Sequence, residues 1–256
     1  MLVGLLALPF SAASAATFPP FTFNPAAVGL NGAQFSADNI IVSDFSTITY
    51  TSGSPSTARN FIDVGFLPIV SFEKLGAGVI TPGLNTNSGF GLYFQFSGSG
   101  SQNAPNGDGS VTGTLSNVTF KFYGFNQTGT TSFSPDGTTT TGVVNPVLLS
   151  TGSSINGNVA IFPSANGPIP GASALVQITP VASPFFVAPS PFYLDITTSF
   201  TNTFTAISQT STGFTITGGG GQANFLPNVP VPEPASMLVI SAGLGAVGLL
   251  RRRARA

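Results

Sequence analysis

Phe90-Gly91-Leu92-Tyr93-Phe94-Gln95-Phe96 shows the period on which the fold of this chain depends. Large apolar residues recur there at every second position, and successive side chains of a β-strand point to opposite faces of a sheet. The segment therefore predicts a strand with one apolar face. The same alternation occurs at residues 40–50, 61–70, 118–123, 155–162, 175–179, 192–196 and 214–216.

Helix signals are missing from this part of the chain. Gly and Pro interrupt residues 17–225 too often for an apolar i, i+3, i+4 pattern to continue for three turns. About ten strands must then bury their apolar faces against one another. The sequence predicts an all-β fold with a single core, a jelly-roll-like β-sandwich over residues 17–217, with a barrel as the second choice.

Composition narrows the possible functions. The chain has 256 residues, of which 42% are hydrophobic and only 6% are charged, against about 25% charged in an average soluble protein. Cys and His are absent, which excludes thiol nucleophiles, disulfides, imidazole bases and zinc or haem ligation by these residues. We expect no cofactor, no metal site and no enzymatic activity, and the mildly acidic body predicts no nucleic-acid binding.

The two ends carry targeting signals. Residues 2–10 are apolar and are followed by the small residues 11–16, which together predict a secretory signal peptide over residues 1–16. No basic residue precedes the apolar run, so the true start is expected upstream. Near the other end, Gly218–Gly221 begins a predicted flexible linker over residues 218–230.

The C-terminal segment has three parts in a fixed order. Val231-Pro232-Glu233-Pro234 is followed by the uncharged residues 235–250 and then by a basic cluster. The uncharged part makes about 24 Å of helix, and arginines that snorkel extend its reach toward the roughly 30 Å of a bilayer core. A transmembrane helix is predicted, with a cytoplasmic tail that contains Arg251, Arg252, Arg253 and Arg255.

This order resembles the PEP-CTERM sorting domain of exported bacterial proteins. The resemblance implies recognition and processing by an exosortase at the motif formed by Pro232, Glu233 and Pro234. It also implies an intermediate tethered to the inner membrane, followed by delivery to the cell surface or extracellular matrix.

The body has a resemblance of its own. Residues 18–25, 37–45 and 91–96 are similar to flocculation-associated PEP-CTERM proteins. That resemblance implies a structural role in flocculation or biofilm assembly, with exopolysaccharide or other matrix components as partners. The alternative is a carbohydrate-binding module that recognises one polysaccharide. A carbohydrate-active enzyme is a third and weaker alternative, because it needs two facing carboxyl groups.

Several residues in the body have both a functional and a structural interpretation. Tyr93 and Tyr123 lie opposite the apolar faces of their strands, where they could stack on sugars or pack against a second layer. The turns at residues 106–110 and 134–138 could contribute oxygen ligands to Ca²⁺, but each has one carboxylate and is better explained as an Asx-type turn. We expect neither candidate pair of carboxylates to be catalytic. Asp38 and Asp44 would lie about 20 Å apart on one strand. Asp63 and Glu73 could meet across strands, but each is expected to pair with Arg59 or Lys74.

Overall fold

The computed structural model describes residues 18–227 except for residues 55, 80, 82 and 166. The predicted signal peptide, the Pro-Glu-Pro motif, the predicted helix 235–250 and the arginine tail lie outside the described residues. In the part that is described, no helix is long and apolar enough to cross a membrane.

Strands dominate the described residues. Three short 3-10 helices cover Pro25–Val28, Ser183–Phe185 and Phe204–Ala206. The strands are β1 (Phe21–Phe23), β2 (Phe35–Ala37), β3 (Asn39–Ser52), β4 (Arg59–Lys74), β5 (Ala77–Val79), β6 (Phe90–Gln102), β7 (Val111–Phe133), β8 (Thr140–Phe162), β9 (Ile169–Pro180), β10 (Phe186–Ala188), β11 (Asp195–Thr201), β12 (Ile207–Thr210) and β13 (Gly213–Leu226).

Eight of these strands form a closed antiparallel sheet. They pair in the order β3-β4-β6-β7-β8-β9-β11-β13, and β13 pairs again with β3. At the seam, Thr197 of β11 lies opposite Leu175 of β9 on one side and Asn224 of β13 on the other. The sheet is therefore a barrel in which each strand follows its neighbour in chain order. β5 and β12 add short pairings to β4 and β13.

This closure decides between the two arrangements that the strand pattern allowed. The predicted all-β class is confirmed. The closed sheet corresponds to the barrel, which was the second choice. In a barrel the opposite walls of one sheet pack face to face, whereas a jelly roll packs two separate sheets against each other. Alternation along each strand is the same in both cases, because each strand has one buried face in either. Only the pairing of β3 with β13, at opposite ends of the body, distinguishes them.

Phenylalanine rings close one end of the barrel. β1, β2 and β10 form a small separate sheet there. The side chain of Phe23 is fully buried, and its ring centroid lies 4.5 Å from that of Phe185 and 6.1 Å from those of Phe72 and Phe225. The opposite end contains a smaller apolar cluster of Val111, Ile161 and Phe214, with Ile48, Tyr50 and Ile207 packed against it.

The glycine run predicted to start a linker lies inside β13. Gly219 pairs with Asp44 of β3, and Gly220 pairs with Thr201 of β11, so the sheet continues to Leu226. Gly219 and Gly221 leave no room for a side chain, because the side chains of Asn202 and Phe200 cross them. A Cβ on Gly219 would lie 1.6 Å from the Asn202 Oδ1 atom. The domain therefore extends beyond residue 217, the predicted boundary.

The long β7–β8 hairpin covers part of the outer surface of the barrel. Its far part, residues 127–143, is called here the hairpin arm. The ring of Phe133 in this arm lies 5.5 Å from Phe66 and 5.3 Å from Tyr93, measured between centroids. At the arm's tip, the Gly137 carbonyl accepts a 2.8 Å hydrogen bond from the Gln95 side chain. The arm is thus folded back onto β4 and β6.

Candidate functional site

The barrel interior contains a cavity of about 100 Å³ between the two apolar ends. β3, β4 and the segment that follows β11 each contribute a polar side chain to its lining, respectively Asp44, Asp63 and Asn202. Most of the remaining wall is apolar. It includes Val42, Leu67, Phe94, Phe120, Val176 and Ile196. The cavity is therefore mostly apolar, with a few polar side chains in its wall.

Three of the polar side chains that line this cavity each have one oxygen atom without a hydrogen-bond donor. The Oδ1 atoms of Asp44, Asp63 and Asn202 are buried and have no hydrogen-bond partner. The Asn202 Nδ2 atom donates to the Pro170 carbonyl at 3.0 Å, which fixes the amide. Asn202 and Asp44 meet over Gly219, since a Cβ there would lie 1.6 Å from the Asn202 Oδ1 atom and 3.1 Å from the Asp44 Cβ.

The surroundings of the two carboxyl groups favour their neutral forms. Burial raises the pKa of Asp44 from 3.8 to about 6, against the opposing effect of hydrogen bonds with Ser46 and Asn202. Burial also raises the pKa of Asp63 well above 3.8, and the charge of Asp44 raises it further. Each of the two carboxyl groups therefore keeps its proton to a higher pH than an exposed aspartate does.

Sequence spacing did not indicate that these two aspartates line one cavity. The candidate pairs were Asp44 with Asp38 and Asp63 with Glu73. Asp38 instead accepts a hydrogen bond from the Leu75 amide at 2.8 Å, and Glu73 accepts one from Asn39 at 2.8 Å. A signal was present in the alternation of β3, where the buried residues Ile40 and Val42 share their face with Asp44. That pattern points Asp44 inward.

A second candidate site lies outside the barrel, as a groove of about 600 Å³ beside the tip of the hairpin arm. Two rows of side chains cross its floor from strand to strand. Each member pairs directly with the next, in the order Ser97-Thr119-Ser153-Gln177 and Gln95-Lys121-Thr151-Thr179. Neighbouring strands are about 4.8 Å apart, so each row presents hydroxyl and amide groups at regular intervals.

Tyr93 and Tyr123, the predicted sugar-stacking residues, pack against each other. Their ring centroids lie 5.2 Å apart in a stacked arrangement. Tyr93 is only 4% exposed because the hairpin arm covers it, and burial raises its pKa to about 12. Tyr123 is half-buried. A sugar could reach the face of Tyr93 only if the arm moved.

The two oxygen-rich turns are held by their own aspartates. The Asp108 carboxylate accepts a 2.9 Å hydrogen bond from the Ser110 amide, and the Asp136 carboxylate accepts one of 3.0 Å from the Thr138 amide. Hydrogen bonds from Ser110 and from Ser134 and Thr138 lower the pKa of these acids. This is the geometry of an Asx turn. Among the described residues, no group of three or more acidic residues could hold a metal ion.

The residues of the Pro-Glu-Pro motif lie outside the described residues, so comparison with known proteins is the evidence for that segment. The body is a closed all-β domain with a polar, weakly charged outer groove. Residues 230–254 match the family model of the PEP-CTERM protein-sorting motif. The chain is a PEP-CTERM domain-containing protein. The motif marks it as an exported protein that is processed by an exosortase and passes through a membrane-anchored intermediate. Searches of curated proteins and of solved structures found no match.

Proposed function

We propose that this protein is a non-enzymatic component of the cell surface or extracellular matrix that associates with exopolysaccharide in flocs or biofilms. Export follows from the sorting motif at residues 230–254. The observation that carries the remainder of the proposal is the outer groove, whose floor presents two rows of polar side chains.

The chemistry of the groove suits a polymer rich in hydroxyl groups. Ser and Thr hydroxyls both donate and accept hydrogen bonds, and Gln amides offer two donors and one acceptor. A sugar hydroxyl can therefore bond to any of them in either direction. Thr119, Ser153, Gln177 and Thr179 are exposed on this face, so they remain open to such bonds.

The weak charge of the body favours close association. Only 6% of the residues of the whole chain are charged, so electrostatic repulsion between neighbouring copies in a matrix is small. Contacts with a polysaccharide would then come from hydrogen bonds and apolar contact, and we expect binding to be insensitive to salt.

Binding by the groove can be tested with a pair of matched variants. Thr119→Phe fills the groove floor, whereas Thr114→Phe makes the same change at an exposed position of β7 that does not line the groove. The probe is exopolysaccharide from the host, sedimented with the purified full chain. We expect co-sedimentation of the parent and of Thr114→Phe, and a loss of at least about tenfold for Thr119→Phe. Equal binding by both variants, or no binding by the parent, would contradict the proposal.

Sorting is tested separately in cells. Replacement of Pro232, Glu233 and Pro234 by Ala should leave the full-length chain in the inner membrane, whereas the parent should appear outside the cell without its C-terminal segment. Fractionation with intact-mass analysis measures both outcomes. If parent and variant both remain full-length in the membrane, the segment acts only as an anchor.

A narrower function, recognition of one particular polysaccharide, is favoured by the two charges in the groove. Lys121 and Asp136 are both exposed and both line it, so a polymer that carries a matching carboxylate or amine would be preferred. A panel of neutral, acidic and amino polysaccharides distinguishes the two functions. A single tight binder indicates a specific module, whereas similar weak binding of all indicates a general matrix role.

A further inference from the structure

The chain leaves the barrel at the end that the phenylalanine rings close, which is called here the exit end. β13 ends there at Leu226, which pairs with Asp195 at the start of β11, and Phe225 belongs to the ring cluster. Residues 227–234, which connect β13 to the predicted membrane span, bridge at most about 30 Å even when fully extended. In the membrane-anchored intermediate the exit end is therefore held within about 30 Å of the bilayer.

An exposed leucine lies at the same end. Leu75 is 76% exposed, more than any other large apolar side chain among the described residues. It occupies the two-residue turn between β4 and β5, in which Lys74 pairs with Ala77. Leu75 and Gly76 both have positive φ angles, 54° and 76°, and hairpin turns of this type favour Asn-Gly. A bulky leucine is unfavourable for such a turn, so a contact outside the domain explains this side chain better than the turn does.

Strand register places Leu75 level with the point where the chain leaves the barrel. Ala223 of β13 and Phe72 of β4 both pair with Ile40 of β3, on its two sides. The two strands run in the same direction from there, and Leu226 and Leu75 each follow three residues later. Neighbouring strands are about 4.8 Å apart, so the turn lies only about 10 Å from the end of β13.

The exposed charge at the exit end is positive. Asp38 is buried and accepts a 2.8 Å hydrogen bond from the Leu75 amide, and Glu73 and Asp195 are half-buried. Lys74 is exposed beside Leu75. A lysine is attracted to the surface of an anionic bilayer, and burial among lipids favours a leucine side chain. The turn therefore has the chemistry of a membrane contact.

We propose that the exit end docks on the lipid bilayer while the chain is anchored, with Leu75 inserted among the lipids and Lys74 at anionic headgroups. Leu194, which is 45% exposed and lies on the other side of β13, widens the apolar contact. Tethering makes so small a contact effective, because it keeps the turn at a high local concentration near the surface. Removal of the C-terminal segment ends the docking, since one leucine buries too little apolar surface to hold a free protein on a bilayer. The inference depends on the membrane-anchored intermediate and not on polysaccharide binding.

A single introduced tryptophan tests which end meets the bilayer, because the chain has no tryptophan of its own. Leu75→Trp reports on the turn. Phe162→Trp is the matched control, because Phe162 is 53% exposed and follows Ile161 of the apolar cluster at the opposite end. Each full chain is reconstituted into vesicles of phosphatidylcholine and phosphatidylglycerol, with or without bromine on the acyl chains. We expect bromine to quench the fluorescence of Leu75→Trp and to leave that of Phe162→Trp unchanged. Quenching of both, of neither, or of Phe162→Trp alone would overturn the proposal.

A second measurement retains the native turn. Lys74 and Lys121 are the two lysines of the chain, and Lys121 is exposed in the outer groove. A water-soluble acylating reagent, followed by mass spectrometry, should label Lys74 more slowly than Lys121 in the vesicle-anchored parent. Leu75→Asn preserves the turn, because asparagine tolerates a positive φ. It should raise the labelling rate of Lys74 by about tenfold, the effect of losing one buried leucine.

The lipid composition provides the last control. The vesicles contain no other protein, so slow labelling of Lys74 there identifies lipid as the partner. Vesicles of phosphatidylcholine alone should protect Lys74 less, because the anionic headgroups are missing. Equal labelling of the two lysines in the parent, equally slow labelling of Lys74 in Leu75→Asn, or failure of the full chain to float with vesicles would overturn the proposal. Polysaccharide binding is measured separately, so the two proposals fail independently.

Discussion

The buried carboxyl group of Asp44 should make the barrel more stable in acid than at neutral pH. An acid whose pKa is higher in the folded protein binds its proton more tightly there, so stability falls as the pH rises between the unfolded and folded pKa values. For Asp44 these are 3.8 and about 6. One pKa unit corresponds to about 1.4 kcal/mol, so ionisation of Asp44 costs about 3 kcal/mol of folding free energy above pH 6.

Asp44→Asn removes this cost, because the amide has the same shape and does not ionise. Its nitrogen can also donate to the unpaired Asn202 Oδ1 atom. The variant should therefore be about 3 kcal/mol more stable than the parent at about pH 7.5, which for a domain of this size raises the melting temperature by roughly 6–12 °C. Near pH 3.5 the two proteins should be about equally stable, because the carboxyl group is then protonated in both folded and unfolded chains.

Thermal unfolding of the full chain, followed by circular dichroism from about pH 3.5 to 8, measures this difference. The gain in stability of Asp44→Asn at neutral pH should be larger still, because loss of the Asp44 charge also lowers the pKa of Asp63. A variant that is less stable than the parent at neutral pH, or equally stabilised across the whole range, would refute the reasoning.

Three other substitutions probe features of the fold, each by chemical denaturation. Gly219→Ala should destabilise the barrel by about 2 kcal/mol or more, because the added methyl group meets the Asn202 amide; no loss would show that the amide moves freely. Phe133→Ala should cost about 1–3 kcal/mol and increase tyrosine exposure beneath the hairpin arm, and unchanged quenching of tyrosine fluorescence would contradict that packing. Tyr193→Phe should cost about 1 kcal/mol through loss of the 2.8 Å hydrogen bond to the Pro20 carbonyl; an unchanged stability would show that water replaces it.

Sequence patterns predicted the individual strands well, and the interior of the barrel less well. Segments such as residues 90–96 and 118–123 form strands as expected, because alternation is a local property that any buried face requires. The sequence left open whether the tyrosine face of β6 stacks on sugars or packs against a second layer, and nothing in it identified the hairpin arm as the segment that covers this face. Tyr93 is buried because Phe133, far along the chain, folds over it.

The structure of the glycine run at residues 218–221 also could not be predicted from the sequence alone. Four consecutive glycines favour a flexible linker in an isolated peptide. In the barrel, β3 and β11 pair with this stretch on both sides, and the missing side chains make room for Asn202 and Phe200. Composition alone does not reveal which neighbours require that space.

The sequence by itself determined the strand content and the sorting signal, because each depends only on residues that are neighbours in the chain. The strands follow from alternation within short segments, and the sorting signal follows from the order of the C-terminal motif, which matches the family model at residues 230–254. The tertiary structure alone decided that the sheet closes. It also placed Asp44 and Asp63 in one cavity and lined up the polar rows of the outer groove. These features depend on which strands pair and in what register, and a register shift of one residue would reverse every inward and outward side chain.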